Sequence, residues 1–157
     1  MPGLSLRVNF RKQLNLEYQQ IEVIVESLRV DSTTLKKELF KDENSVAFFT
    51  GYSEYPITKY TIKEIEIFLE GKIYNRSNLE LKKDFEDLIS ILESKNINTL
   101  LKEWLLRFDG DFLILIYDAS NMQYKIINDQ LGRLPFYLFR DNEKVVISRE
   151  MKFVYKQ

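Results

Sequence analysis

An α+β fold is predicted by three observations. Strand-like alternation opens the chain at residues 4–10, and helical spacing of apolar residues dominates its middle, at 79–92 and 100–108. An unbroken apolar run at 112–117 then gives way to hairpin patterns. Strands, two central helices and further strands make an α+β layered sandwich, expected as one domain over residues 1–157.

Each element has its own signal. Leu4, Leu6, Val8 and Phe10 alternate with polar residues, the period of a half-buried strand. Residues 21–30 are apolar and β-branched enough for a strand, with a helix as the alternative. Val46, Ala47, Phe48 and Phe49 read as a buried strand closed by Thr50 and Gly51. After a turn at Tyr55 and Pro56, residues 62–69 alternate again, with Ile65 and Ile67 opposite Glu64 and Glu66. Asn78 is placed to cap a helix carrying Leu81, Phe85, Leu88 and Leu92, and Asn98 to open one carrying Leu101, Trp104, Leu105 and Phe108. The run at 112–117 implies burial on both faces. Asp118 to Asn121 is turn chemistry, 124–127 pairs back, and a second hairpin (136–140 with 144–148) turns at Asp141 and Asn142. A short helix from Glu150 closes the pattern.

Composition narrows the chemistry. Among 157 residues there is no cysteine and no histidine. The first absence excludes thiolate nucleophiles and cysteine-held zinc; the second removes the commonest general base. No metal or cofactor is expected. A formal net charge of −1 argues against a general nucleic-acid surface, and no apolar run is long enough to span a bilayer. The start of the chain lacks signal-peptide character, which points to the cytoplasm. The Lys36–Lys37 and Lys82–Lys83 pairs read as solvated faces.

Four segments in order carry a resemblance. Glu70-Gly71-Lys72-Ile73-Tyr74-Asn75 resembles the Asn-Gly-Glu-Ile-Tyr-Asn motif of class II glutamine amidotransferases. Phe108-Asp109-Gly110-Asp111-Phe112, with Asp118 further on, is similar to that family's Leu-x-Gly-x-Phe strand. Residues 129–137 resemble its Asp-Arg-x-Gly-x-Lys-Pro-Leu-Tyr segment, and 148–152 its Ala-Ser-Glu-Ile-Lys ending. The branch most resembled is the N-terminal glutaminase domain of asparagine synthetase. The resemblance implies an N-terminal-nucleophile type αββα sandwich, with two antiparallel sheets flanked by helices.

It also implies a site, and the sequence departs from it. The family's nucleophile is a cysteine whose own α-amino group serves as base; Pro2 stands at that position. The motif's first Asn supplies a neutral oxyanion donor, and Glu70 replaces it. Gly71 is retained, the acidic third residue is Lys72, and Asp84 is the match to the acid that holds the substrate amine. The family's substrate-carboxylate Arg has no counterpart between Val46 and Tyr52. Pro2, Glu70, Gly71, Lys72 and Asp84 therefore make a degenerate glutamine pocket, with no catalytic residue.

Family members that lack the cysteine, as β-lactam synthetases do, keep the domain beside an ATP-dependent synthetase. The expected role is thus an inactive interaction module for an adenylating synthetase domain or subunit. No Ser-Gly-Gly-x-Asp-Ser loop is present, so that partner is a separate subunit or a continuation of the natural chain. Two alternatives stand beside it. One is a remodelled pocket using the Pro2 amine, Glu70 and Asp84; the other is a ligand-sensing or structural homo-oligomer. Trp104 at its helical spacing reads as core, and the helix around it, the aromatic stretch at 136–139, Phe153 and Tyr155 are the candidates for an exposed apolar contact surface.

Overall fold

A computed structural model describes residues 3–11 and 14–157. In chain order the elements are β1 (Gly3–Asn9), α1 (Leu14–Glu26), β2 (Leu35–Lys41), β3 (Ser45–Gly51), β4 (Ile57–Ile62) and β5 (Ile65–Ile73). They continue with α2 (Asn78–Leu92), α3 (Ile97–Leu105), β6 (Gly110–Asp118), β7 (Gln123–Asn128), β8 (Tyr137–Arg140), β9 (Lys144–Ser148) and α4 (Met151–Tyr155). The described residues thus form two antiparallel sheets and four helices, the α+β class expected and the element set of an N-terminal-nucleophile type sandwich. Two compact units result: one runs up to Tyr55 and resumes over Pro135–Gln157, and the other is Pro56–Leu134.

The first unit holds a five-stranded sheet in the order β2-β3-β1-β9-β8. β1 lies at its centre between β3 and β9. Both of its faces are buried, its polar Ser5, Arg7 and Asn9 included, rather than the one face its alternation implied. On one face, Val46, Phe48 and Val146 pack against Leu14, Ile21, Val25 and Leu28 from the α1 segment and Phe153 of α4. Those spacings settle the open reading of residues 21–30. Ile21, Val25 and Leu28 recur every three to four residues, so the segment is helical to Glu26 and the strand reading is wrong. One-sided burial outweighed the β propensity of its branched side chains.

The same face buries polar groups, several of them engaged with one another, although the Thr50 hydroxyl finds no partner among the described residues. Arg7 donates to Asn9 Oδ1 at 2.9 Å and to Gln157 Oε1 at 2.7 Å, and it pairs with Glu17. Ser5 and Ser148 share a hydroxyl bond of 2.7 Å across β1 and β9. β2 was not anticipated. Its Lys-Lys-Glu stretch shows no alternation, yet β3 pairs along it; Lys37 is exposed as expected, whereas Lys36 pairs with Glu22 at 3.2 Å.

The second unit is a four-stranded sheet, β4-β5-β6-β7, with α2 and α3 on one face. The expected strand over 62–69 is instead the two arms of a hairpin. Ile62 pairs directly with Ile65, and Lys63 takes φ 55° in the two-residue turn between them. Ile67, Leu69, Ile73, Phe112, Ile114 and Ile116 face Leu81, Phe85 and Leu88 of α2 and Trp104 of α3. Trp104 is core, as its spacing suggested. Its ring lies 4.4 Å from that of Phe108, edge to face, and its indole N–H donates to the Asp84 carbonyl at 3.0 Å. β6 is buried on both faces from Phe112 to Tyr117, as its continuous apolar run required.

Helix starts are set one or two residues earlier than Asn78 and Asn98 implied. Ser77 caps α2 and forms a capping box with Glu80, each side chain meeting the other's backbone N–H. Asn96 stands at the α3 cap position. Ser77→Ala is expected to lower unfolding stability by about 1 kcal/mol, read as a shift of the urea midpoint. An unchanged midpoint would show that the box contributes nothing. No helix among the described residues is long and apolar enough to cross a membrane.

Candidate functional site

Three of the four motif segments converge at one end of the second unit's sheet. β5 and β6 run side by side there in a register that sets Gly71 against Phe112 and Ile73 against Gly110. Both glycines are there because the two backbones touch. Gly71 has φ +87°, and a Cβ on it would overlap the Asp111 carbonyl oxygen; one on Gly110 would overlap the Lys72 carbonyl. The turn beyond is held from the same strands. Asn75 accepts from the Asp109 N–H at 3.1 Å and donates to the Arg107 carbonyl at 3.0 Å. Asp129 accepts from the N–H groups of Leu131 and Arg133, closing the turn in which Gly132 takes φ +62°.

Side chains across neighbouring strands share a face, and successive ones alternate. Glu70 therefore lies on the face opposite Leu69 and Ile73, in line with Ile57 on one side and Leu113 and then Asn128 on the other. It is fully buried. Lys72 follows on that face, exposed and directly across from Asp111. Asp111 accepts from the Tyr74 hydroxyl at 2.8 Å and from Arg133 at 2.8 Å. The Arg133 bond, with help from Tyr74, holds the Asp111 carboxyl below its ordinary range, and the same contact with Asp111 raises the Tyr74 phenol.

Asp84 is elsewhere. It sits in the second turn of α2. Its carboxylate is taken by Arg76, whose Nε donates at 2.9 Å, and by Arg107 at 3.5 Å. α2 covers the face carrying Leu69 and Ile73, whereas Glu70 occupies the other. The sheet thus separates Glu70 from Asp84. Gly71 and Lys72 adjoin Glu70 by sequence, and Pro2 lies outside the described residues. Sequence reasoning missed two groupings, Tyr74–Asp111–Arg133 and Arg76–Asp84–Arg107. The first was within reach, since all three residues belong to the quoted motifs.

The chemistry this corner offers is limited. Where the motif's amide would present N–H donors, Glu70 presents carboxyl oxygens, which are acceptors when ionised. No group of three or more metal-ligating acids, cysteines or histidines occurs among the described residues.

A two-sheet α+β chain whose motifs meet at a glycine-lined strand crossing defines an amidotransferase-type scaffold. A family model described as a glutamine amidotransferase domain matches residues 49–156, which is more than half of the chain. The chain belongs to that family. No curated protein matches it.

Proposed function

We propose that this chain is a catalytically inactive glutamine amidotransferase-like domain. On this reading it serves as a structural or interaction module for an ATP-dependent, adenylating synthetase domain or subunit in the cytoplasm. The observation that carries the reading is the fully buried Glu70 at the position of the oxyanion amide, in a chain with no cysteine. Either change alone removes a group on which the family's acyl transfer depends. The acid that would hold the substrate amine, Asp84, is already neutralised by two arginines on the other face of its sheet. The same separation argues against a remodelled pocket that combines Glu70 with Asp84. The backbone scaffold is kept while the site is not, and that supports a role exercised through surface.

The interaction half of the proposal is tested by titrating the chain into a purified adenylating synthetase from the same source, with heat and pyrophosphate exchange as readouts. Saturable binding with a changed exchange rate is expected. No binding at concentrations up to about 100 µM, a regime in which transient interfaces are still detected, would overturn it.

A further inference from the structure

Each sheet has two edge strands, and three of the four edges are guarded. β2 carries Lys36, Lys37 and Lys41 and a register shift between Glu38 and Phe40; β4 carries Lys59 and β7 carries Lys125. Lysines and bulges of this kind keep edges from pairing with other chains. β8, Tyr137-Leu138-Phe139-Arg140, has neither a lysine nor a bulge, and is protected only by its shortness and by Arg140 at its end. Leu138 is 60% exposed and Phe139 38%.

The hydrogen-bond phase of the sheet shows which backbone groups β8 leaves open. Asp141 N–H donates to the Lys144 carbonyl at 3.1 Å, closing the hairpin, so Arg140 and Val145 face each other without direct bonds. Arg149 N–H donates to the Leu4 carbonyl at 3.0 Å, so Ser148 turns its own N–H and C=O toward Tyr137. Both bonds give one phase: Tyr137 and Phe139 bond to β9, while Leu138 and Arg140 aim their N–H and C=O groups off the sheet. Among the described residues none bonds to those of Leu138.

We propose that β8 is a strand-addition site for β8 of a second copy of this chain, antiparallel, with the two-fold axis at Leu138. The phase allows only registers that set outward residues against outward residues. Sliding one step so that Leu138 meets Arg140 also sets Tyr137 against the acidic Asp141, and sliding two steps sets Arg140 against Arg140. The register centred on Leu138 pairs leucine with leucine, Tyr137 with Phe139 twice on one face, and Arg140 with Phe136 on the other. Aromatic cross-strand pairs and arginine over an aromatic ring are each favourable. A four-residue strand buries little area, so the dimer is weak, with a dissociation constant on the order of 0.1 mM, as befits interfaces below about 1,200 Å². The inference rests on sheet geometry alone and stands apart from the synthetase proposal.

Sedimentation velocity over a concentration series tests it. The chain is expected to show a concentration-dependent monomer–dimer equilibrium, and Leu138→Lys, which sets two charges at the axis, to weaken it at least tenfold with the circular dichroism and Tm unchanged. The register is tested separately. The chain has no cysteine, so Leu138→Cys introduces a single thiol per copy. In the proposed register the two Cα atoms lie about 5.5 Å apart, within disulfide reach. Mild oxidation is expected to cross-link that variant to dimers and to leave Lys125→Cys, on the guarded β7 edge, monomeric. A strict monomer at millimolar concentration, a dimer indifferent to Leu138→Lys, or equal cross-linking from both thiols would overturn the proposal. Should Leu138→Lys unfold the chain, the cross-linking comparison decides alone.

Discussion

Gly71→Ala is expected to destabilise the chain by on the order of 3–5 kcal/mol, combining left-handed backbone strain with overpacking. The backbone at Gly71 has φ +87°, a region that side chains with a Cβ rarely enter. A methyl group would meet the Asp111 carbonyl oxygen and lie 2.9 Å from Leu134 Cδ1. The carbonyl belongs to β6, the central neighbour of β5, and cannot move without breaking the register that runs from Ile65 to Ile73. Such a loss is a large part of a typical domain's 5–15 kcal/mol or so. Gly132→Ala is the internal control. Its φ is also positive, but the nearest atom to an added Cβ is Asn128 Nδ2 at 3.8 Å. Only the strain remains there, about 1–2 kcal/mol. Urea unfolding of both variants distinguishes the two contributions, and equal midpoints would show that the close approach of β5 and β6 does not matter.

Phe153→Asp carries the second large effect. The sequence offered Phe153 and Tyr155 together as surface candidates whose replacement would spare the fold. For Phe153 the structure overturns that expectation. The ring is fully buried among Leu14, Ile21, Val46 and Val146, whereas Tyr155 is 88% exposed. A short helix buries one side only, and two residues along α4 lie about 200° apart, on opposite sides. Loss of the ring costs about 3–5 kcal/mol, and an unpaired carboxylate in its place adds to that. Phe153→Asp is therefore expected to abolish cooperative folding of the first unit, while Tyr155→Asp shifts the midpoint within about 0.5 kcal/mol. Near-ultraviolet circular dichroism and thermal melts decide it; a folded Phe153→Asp variant would refute the packing described for α4.

The fold was legible wherever burial imprints a period. β1, β3, β6 and the β8–β9 hairpin announced themselves by alternation or by an unbroken apolar run, and α2 and α3 by recurrence every three to four residues. What failed had competing signals. α1 is rich in β-branched residues, and only its contact with the sheet makes Ile21, Val25 and Leu28 a face. β2 is an edge strand whose exposed lysines leave no pattern. The turn at Lys63 and Glu64 contains neither glycine nor proline, so the hairpin looked like one strand.

The site was legible in its motifs but not in its geometry. Glu70, Gly71 and Lys72 were found as a run, and the strand places them at one sheet end. That Glu70 and Asp84 occupy opposite faces depends on where α2 packs, which spacing along the chain does not reveal. Asp84 carried a second meaning unseen in the sequence, because its partners Arg76 and Arg107 are far apart along the chain and meet only across the α2–α3 corner.

Ammonia release from glutamine by the purified chain tests the central claim most directly. With no cysteine in the chain, and with Glu70 at the oxyanion position on the proposed reading, the expected result is a rate equal to the buffer blank at saturating glutamine, with the fold verified in the same sample. Measurable hydrolysis that follows the protein through purification and disappears on a single substitution within this chain, Glu70→Gln for instance, would contradict it.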